Sequence, residues 1–172
     1  MNGRLTYPER YSAGSSGSSW RKIEGAYHLA QPLETVLLQA VPATLFMRLA
    51  APHGNPWRLL ILFVAVIAIY GSVGARNDDC DYPLDEVAKP RKPLVRGLVT
   101  LPFALWQALI LAVIGLLLSA ALNWLTVCFS ALILVLGICY DIRAKRSLLS
   151  WVPYAALAVV IGLAWVASLP RI

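Results

Sequence analysis

The stretch NDDCDYPLDEVAKPRKPLVRG, residues 77–97, separates two long apolar parts of the chain and holds five of its nine acidic residues. Carboxylates fill its first half and cations fill its second half. Ionised side chains are costly inside a bilayer, so the stretch predicts the end of one membrane span and the approach to the next. It is also the main candidate for a polar site. The carboxylates are Asp78, Asp79, Asp81, Asp85 and Glu86, and the cations are Lys89, Arg91, Lys92 and Arg96.

The composition around this stretch predicts an all-α, polytopic integral membrane protein. Hydrophobic residues make up 59% of the chain and charged residues only 14%, against about 25% charged in soluble domains. The mean hydropathy is +0.66. The net charge of +6 is therefore interpreted through the placement of Lys and Arg around a lipid bilayer, and no nucleic-acid partner is expected.

Five apolar segments are long enough to predict about five transmembrane helices, since roughly 20 residues cross a hydrocarbon core. Residues 1–31 contain a Ser/Gly-rich run typical of a flexible coil, and we expect a flexible cytoplasmic tail there. An alternative for residues 23–29 is a short helix on the membrane surface. Pro42 predicts a kink in the first span. The spans are expected at residues 32–51, 57–76, 98–120, 124–140 and 148–169, within a membrane unit covering residues 32–170.

The distribution of cations predicts the orientation of these spans. Twelve of the fifteen Lys and Arg residues fall in the tail, in the 77–97 stretch with Arg76, and in the loop after Tyr140, which five alternating spans would place on one side. Positive loops mark the cytoplasmic face. We therefore expect a cytoplasmic amino terminus and a carboxyl terminus on the opposite side, with the two charged loops meeting at the cytoplasmic surface.

The carboxylates have a spacing that suits a metal ion. If the preceding helix continues, Asp78, Asp81 and Asp85 fall at i, i+3 and i+7 and share one face. Carboxylate oxygens are what Mg²⁺ prefers, often with phosphates completing its shell, and the cations that follow could grip such a phosphate. Two considerations oppose this interpretation. The charges could simply neutralise one another in a solvated loop, and Pro83 predicts a break in the helix.

The motif Asn77-Asp78-x-x-Asp81-x-x-x-Asp85 resembles the first aspartate-rich motif of the UbiA superfamily of intramembrane prenyltransferases, and it follows the second predicted span as in that family. The segment RKPLVRG, residues 91–97, is similar to the R-P-L-x-x-G ending of the same family loop. The similarity extends over about residues 27 to 165. It includes YDIRAKRSLLSWVPY (140–154), which resembles the loop between helices four and five, and QPLET (31–35) with AVPA (40–43), which resemble the first helix.

The resemblance implies a fold and a mechanism. The predicted spans would form the first five helices of the UbiA bundle. The activity would be Mg²⁺-dependent transfer of a prenyl group from a prenyl diphosphate to an aromatic or other lipophilic acceptor. Asp78, Asp81 and Asp85 would hold the metal, with Asp78, Asp81 and Tyr140 counted as catalytic. The diphosphate would be bound by Asn77, Arg91, Lys92, Arg143, Lys145 and Arg146.

The sequence also departs from the family pattern. Lys92 stands where the family has Arg, and Gln31 replaces an arginine often found before Pro32. Asp141 is the one carboxylate after Glu86, so the second aspartate-rich motif of the family is not found. Two hypotheses follow. The chain is either a transferase that needs a second half, supplied by another membrane subunit or a second copy, or a non-catalytic relative serving as a structural subunit of a membrane complex.

Overall fold

The computed structural model describes residues 19–50 and 52–142, and this part of the chain is helical with no β-strand. A single residue, Asn123, separates the last two helices. In chain order the elements are α1 (Ser19–Leu29), α2 (Pro32–Thr35), a π-helix (Val36–Ala40), α3 (Val41–Ala50), α4 (Pro56–Ala88), α5 (Leu101–Leu122) and α6 (Trp124–Ile142).

Three helices of the described part are long and apolar enough to cross a membrane, namely Pro56–Ala88, Leu101–Leu122 and Trp124–Asp141. They correspond to the predicted spans at 57–76, 98–120 and 124–140. The protein is therefore an integral membrane protein. The predicted first span is helical in three consecutive pieces, and the predicted span at 148–169 lies outside the described residues. The count of about five spans stays a prediction.

The first helical segment is irregular next to Pro42. Proline has no amide hydrogen and its ring collides with the preceding turn, and the π-helix Val36–Ala40 ends two residues before Pro42. The Thr44 hydroxyl donates hydrogen bonds to the backbone carbonyls of Ala40, at 2.9 Å, and Val41, at 3.0 Å. These bonds provide partners for carbonyl groups next to the widened turn.

The predicted break at Pro83 is wrong, because α4 continues through it to Ala88. Pro83 lies on an exposed side of the helix, so its ring faces away from the packed interior. The 33 residues of α4 extend about 50 Å, whereas the hydrocarbon core is about 30 Å thick. The helix therefore projects beyond the apolar layer, and the acidic residues lie on its projecting end.

The three apolar helices pack closely through small residues. Contact is most extensive between α4 and α5, where a Cβ atom added at Gly115 would lie 2.6 Å from the Ile69 side chain. At the α5–α6 contact the buried hydroxyls of Ser119 and Ser130 share a hydrogen bond of 2.8 Å. Small residues and interhelical hydroxyl bonds are the usual means of association of helices in lipid.

Helix α1 belongs to the packed structure, so the predicted flexible tail does not extend over residues 19–29. Leu29 is fully buried, and Gly25 lies so close to Leu98 and Val99 that a Cβ atom would approach them within 3 Å. The Gln107 side-chain amide donates to the Ala26 carbonyl at 2.8 Å, which ties α1 to α5. Residues 1–18 lie outside the described part.

Candidate functional site

The projecting end of α4 carries three buried carboxylates. Asp78, Asp81 and Asp85 are 2%, 6% and 3% exposed, as expected for positions i, i+3 and i+7 on one face. Ala75, one turn before Asp78, is fully buried on the same helix. The buried face of α4 therefore includes Ala75 and, one turn later, Asp78. Asp79, on another side of the helix, forms an ion pair with Arg76.

Lys92 lies between two of these carboxylates. Its Nζ atom is 2.7 Å from Asp78 Oδ1 and 2.5 Å from Asp85 Oδ2. Its side chain is 18% exposed, whereas that of Lys89, 3.7 Å from Asp85, is 61% exposed. One largely buried ammonium group therefore connects two buried carboxylates two turns apart.

The position of Lys92 is determined by the tightly turned segment between α4 and α5. The amide of Lys92 donates to the carbonyl of Lys89, and the amide of Arg96 donates to the carbonyl of Lys92. Gly97 has φ +66°, in the left-handed region that glycine adopts without steric cost. Leu94, Leu98 and Val99 are buried among apolar residues of α1, α4 and α5. These apolar anchors hold the turns and direct Lys92 toward α4.

The pKa of Lys92 reflects two opposing influences. Burial lowers the pKa of an ammonium group, but the hydrogen bonds and negative charges of Asp78 and Asp85 together outweigh burial. The pKa of Lys92 is raised above its ordinary value. Lys92 is therefore a cation throughout the physiological pH range.

A pocket of about 520 Å³ opens beside Asp78. Gln31 has a left-handed backbone, φ 46° and ψ 48°, at the junction before α2. From there its side-chain amide donates to Asp78 Oδ1 at 3.4 Å. The pocket thus has an acidic wall on α4, a cationic wall from the following turns and a third wall from the amino-terminal helices. The lining residues are His28, Gln31, Glu34, Asn77, Asp78, Lys89, Arg91, Lys92 and Pro93.

The structure brings together some of the site residues predicted from the sequence. Asn77, Asp78, Arg91 and Lys92 line the pocket. Asp81 and Asp85 lie buried on the same face of α4, and Lys92 links Asp85 to the pocket. Tyr140 is half-buried near the end of α6 and does not line the pocket. The predicted cations Arg143, Lys145 and Arg146 lie outside the described residues.

Sequence reasoning assigned no diphosphate or metal role to the amino-terminal wall of the pocket. His28 and Glu34 are isolated along the chain, and only the fold places them opposite Asn77 and Asp78. The sequence feature that could have indicated this wall is the similarity of the segment at Gln31 and Pro32 to the first helix of the UbiA superfamily.

The three buried carboxylates have the chemistry of a magnesium site, because hard oxygen ligands suit that ion. Within the part of the chain that the structure describes, however, no three His, Cys, Asp or Glu side chains come together closely enough to hold one ion. Positions i and i+7 are about 10 Å apart along a helix. A metal would therefore be held by fewer carboxylates at a time, and Asp78 and Asp85 already contact Lys92.

Comparison with known proteins identifies the family. The model of the UbiA prenyltransferase family matches residues 40–171, which is more than half of the chain. The chain belongs to the UbiA prenyltransferase family.

Protoheme IX farnesyltransferase of Hahella chejuensis is 30% identical, over 88% of this chain and 58% of that protein. The 4-hydroxybenzoate octaprenyltransferase of Xanthomonas campestris is 32% identical over 83% of this chain and 45% of that protein. Digeranylgeranylglyceryl phosphate synthase of Thermococcus gammatolerans is 30% identical over 66% of this chain and 40% of that protein. The chain spans about half the length of these UbiA relatives.

A solved structure from work on digeranylgeranylglyceryl phosphate synthase in membranes has the same fold. It superposes with a TM-score of 0.79 over 87% of this chain and 54% of that chain, at 19% sequence identity. At this identity the likeness concerns the fold alone. It agrees with an arrangement of helices typical of the UbiA family.

Proposed function

We propose that this chain forms part of a magnesium-dependent enzyme that transfers a prenyl group from a prenyl diphosphate to an aromatic or other lipophilic acceptor in the membrane. The observation that carries the proposal is the pocket in which buried Asp78 faces Arg91 and Lys92 at the projecting end of α4. A diphosphate there would meet cations on one side and metal-binding oxygens on the other. The adjacent apolar helices are suited to a prenyl chain.

The proposed roles follow from side-chain chemistry. Arg91 would bind the diphosphate through its planar guanidinium group, which matches phosphate oxygens in pairs, and Lys92 would add a point charge. Asn77 would orient the bound group by hydrogen bonding. Arg143, Lys145 and Arg146, after α6, would add cations, and Tyr140, near the end of α6, would border the reacting centre.

Asp78, Asp81 and Asp85 would hold Mg²⁺, which when bound neutralises charge that develops on the leaving diphosphate. Their burial removes competing water and strengthens the interaction with any cation placed among them. Of the three, Asp78 lines the pocket and is therefore the carboxylate that can reach metal and diphosphate together.

The complete reaction would use the part of the bundle that this sequence does not cover, for which another membrane subunit or a second copy of this chain is the proposed source. The support is that the matched relatives are about twice as long. The amino terminus would face the cytoplasm and the carboxyl terminus the opposite side, so that the pocket would open at the cytoplasmic surface where water-soluble Mg²⁺ is available.

The test is binding of a radiolabelled prenyl diphosphate to the detergent-purified protein with and without Mg²⁺. We expect Mg²⁺-dependent binding, and loss of that binding in Asp78→Asn and Asp81→Asn. Asp79→Asn is the matched control, since it removes the same charge from a carboxylate paired with Arg76 and should bind normally. Binding that is insensitive to Mg²⁺, or equal in all three variants, would refute the assigned roles.

A second candidate function is that of a non-catalytic structural subunit of a membrane complex. The direct pairing of Lys92 with Asp78 and Asp85 favours it, because carboxylates satisfied by an internal cation can serve folding alone. Under this function the purified chain would bind no prenyl diphosphate at any Mg²⁺ concentration. It would instead purify from membranes in a fixed ratio with a larger partner.

A further inference from the structure

We infer that Lys92 is an internal counter-cation which a divalent metal ion must displace from Asp78 and Asp85, so that metal and diphosphate bind cooperatively. This inference rests on the proposed function, because it concerns how the metal reaches the same carboxylates. It assigns Lys92 a second position in addition to its contact with diphosphate.

The distances from Lys92 to the two carboxylates indicate that a metal ion would compete with its ammonium group. The Lys92 Nζ atom lies 2.7 Å from Asp78 and 2.5 Å from Asp85, both of which are at least 97% buried. A cation at this point fills the space in which a metal bound to Asp78 Oδ1 and Asp85 Oδ2 would lie. Metal ion and ammonium group are therefore alternatives at the same oxygen atoms.

The location of Lys92 in the pocket indicates that diphosphate would favour its displacement. Its side chain lines the pocket beside Arg91 and Lys89, so a bound diphosphate would supply a strong anionic partner for an ammonium group released from the aspartates. Without diphosphate, the displaced ammonium would lose its two carboxylate partners and would enter a pocket that already holds the cations of Lys89 and Arg91, which is costly. Diphosphate therefore favours the metal-bound state, and by linkage the metal favours diphosphate binding to the same degree.

The first experiment uses the unaltered protein. Lysine acetylation by a water-soluble succinimidyl ester is quantified at each lysine by mass spectrometry, with and without Mn²⁺ as the metal probe, and with and without a non-hydrolysable prenyl thiolodiphosphate. Metal binding without diphosphate should expose Lys92 and increase its acetylation. Lys89, whose side chain is already 61% exposed, should be acetylated to the same extent in both conditions. Unchanged acetylation of Lys92 while Mn²⁺ is bound would overturn the inference.

The second experiment measures Mn²⁺ affinity by electron paramagnetic resonance without diphosphate. Lys92→Met should bind Mn²⁺ at least about tenfold more tightly than the unaltered protein, because a unit charge a few ångströms away changes a binding constant by more than that factor at a partly screened site. Lys92→Arg keeps a cation of similar reach and should bind as weakly as the unaltered protein. Lys89→Met, the charge-matched control, should change the affinity much less. Equal effects of Lys92→Met and Lys89→Met would show general charge removal and refute displacement.

The two proposals fail in different ways. If Mn²⁺ binds neither the unaltered protein nor Lys92→Met, with or without the thiolodiphosphate, the proposed function fails. If Mn²⁺ binds with diphosphate and Asp78→Asn abolishes this, but Lys92→Met leaves metal affinity unchanged, the function stands and the inference fails. Should Lys92→Met not accumulate as folded protein, the acetylation result and Lys92→Arg decide between the outcomes.

Discussion

At the scale of single residues, Lys92 shows how one side chain can satisfy several buried charges. Two buried carboxylates on one helix face would repel each other, and a buried charge without a close counter-charge is costly. The ammonium group reaches both because the turns after α4 bring it back against the helix. The stability of the end of α4 therefore depends on a residue that lies outside the helix.

The raised pKa of Lys92 predicts how this stabilisation varies with pH. A lysine whose pKa is higher in the folded state contributes fully below the ordinary value of about 10.4, and the contribution disappears as pH rises through the raised value. The difference in unfolding free energy between the unaltered protein and Lys92→Met should therefore be constant from about pH 7 to 9 and shrink above about 10.4. Denaturant unfolding of both proteins in detergent at several pH values measures this difference in unfolding free energy. A difference that already declines below pH 9 would contradict the assignment.

The pair Ser119 and Ser130 makes a quantitative prediction about an interhelical hydrogen bond. A double-mutant cycle with Ser119→Ala and Ser130→Ala should give a coupling of about 0.6 kcal/mol, and no more than about 1.7 kcal/mol. Thr44→Ala serves as the control partner, since its hydroxyl donates to carbonyls of its own helical segment. Its effect should add to that of Ser130→Ala without coupling. Zero coupling between the two serines would mean that their bond is replaced by other partners.

At the scale of elements, the α4–α5 contact depends on the absence of a side chain at Gly115. A Cβ atom there would lie 2.6 Å from Ile69 Cδ1 and 3.1 Å from the Ile69 amide nitrogen, and backbone cannot yield easily. Gly115→Ala should therefore destabilise the protein by about 1–3 kcal/mol. At Gly74 a Cβ atom would make ordinary contacts of at least 3.6 Å. Gly74→Ala should be neutral or slightly stabilising by helix propensity. Thermal unfolding in detergent compares the two, and equal effects would contradict this packing.

The elements show what local sequence pattern can and cannot predict. The approximate positions of α5 and α6 followed from uninterrupted hydrophobicity, although the predicted ranges 98–120 and 124–140 differ from the observed helices by up to three residues at their ends. Asn123, whose side chain accepts a hydrogen bond from the Thr126 amide, separates the two helices. The continuation of α4 through Pro83 was missed, because the loss of one backbone hydrogen bond is local and the buried face on either side outweighs it. A helix over residues 23–29 was predicted only as an alternative, on the membrane surface, because the packing of Gly25 against Leu98 and Val99 joins residues that are distant in sequence. The aspartates were found from spacing, but their pairing with Lys92 required the fold.

At the scale of the whole molecule, the two ends of the described bundle are chemically different. One end carries the aspartates, the cationic turns and the pocket. The other has the Asn55 cap of α4, whose side chain accepts from the Trp57 amide at 2.9 Å. There, too, the Arg58 guanidinium donates to the Leu122 carbonyl at 3.2 Å. Within the described residues, the polar site thus lies at the end of the bundle opposite to Asn55 and Arg58.

The predicted orientation can be tested on the intact membrane. In a background of Cys80→Ser, Cys128→Ser and Cys139→Ser, either Lys89→Cys or His53→Cys supplies a single exposed thiol. A membrane-impermeant maleimide added to intact cells should label His53→Cys and not Lys89→Cys, and inside-out vesicles should show the reverse. Labelling of Lys89→Cys from outside would refute the cytoplasmic placement of the site.

The connection of α5 to α6 through the single residue Asn123 has a consequence for insertion into the membrane. Because α5 and α6 are joined without an intervening polar loop, and no charged side chain lies between Gly97 and Asp141, the two helices have almost nothing hydrophilic to carry across the bilayer. We therefore expect the two helices to insert together as a hairpin, held by the short connection and by the Ser119–Ser130 hydrogen bond. The charged turns before α5 would then remain on the side of synthesis, and the pocket would be completed there without any of its cations crossing lipid.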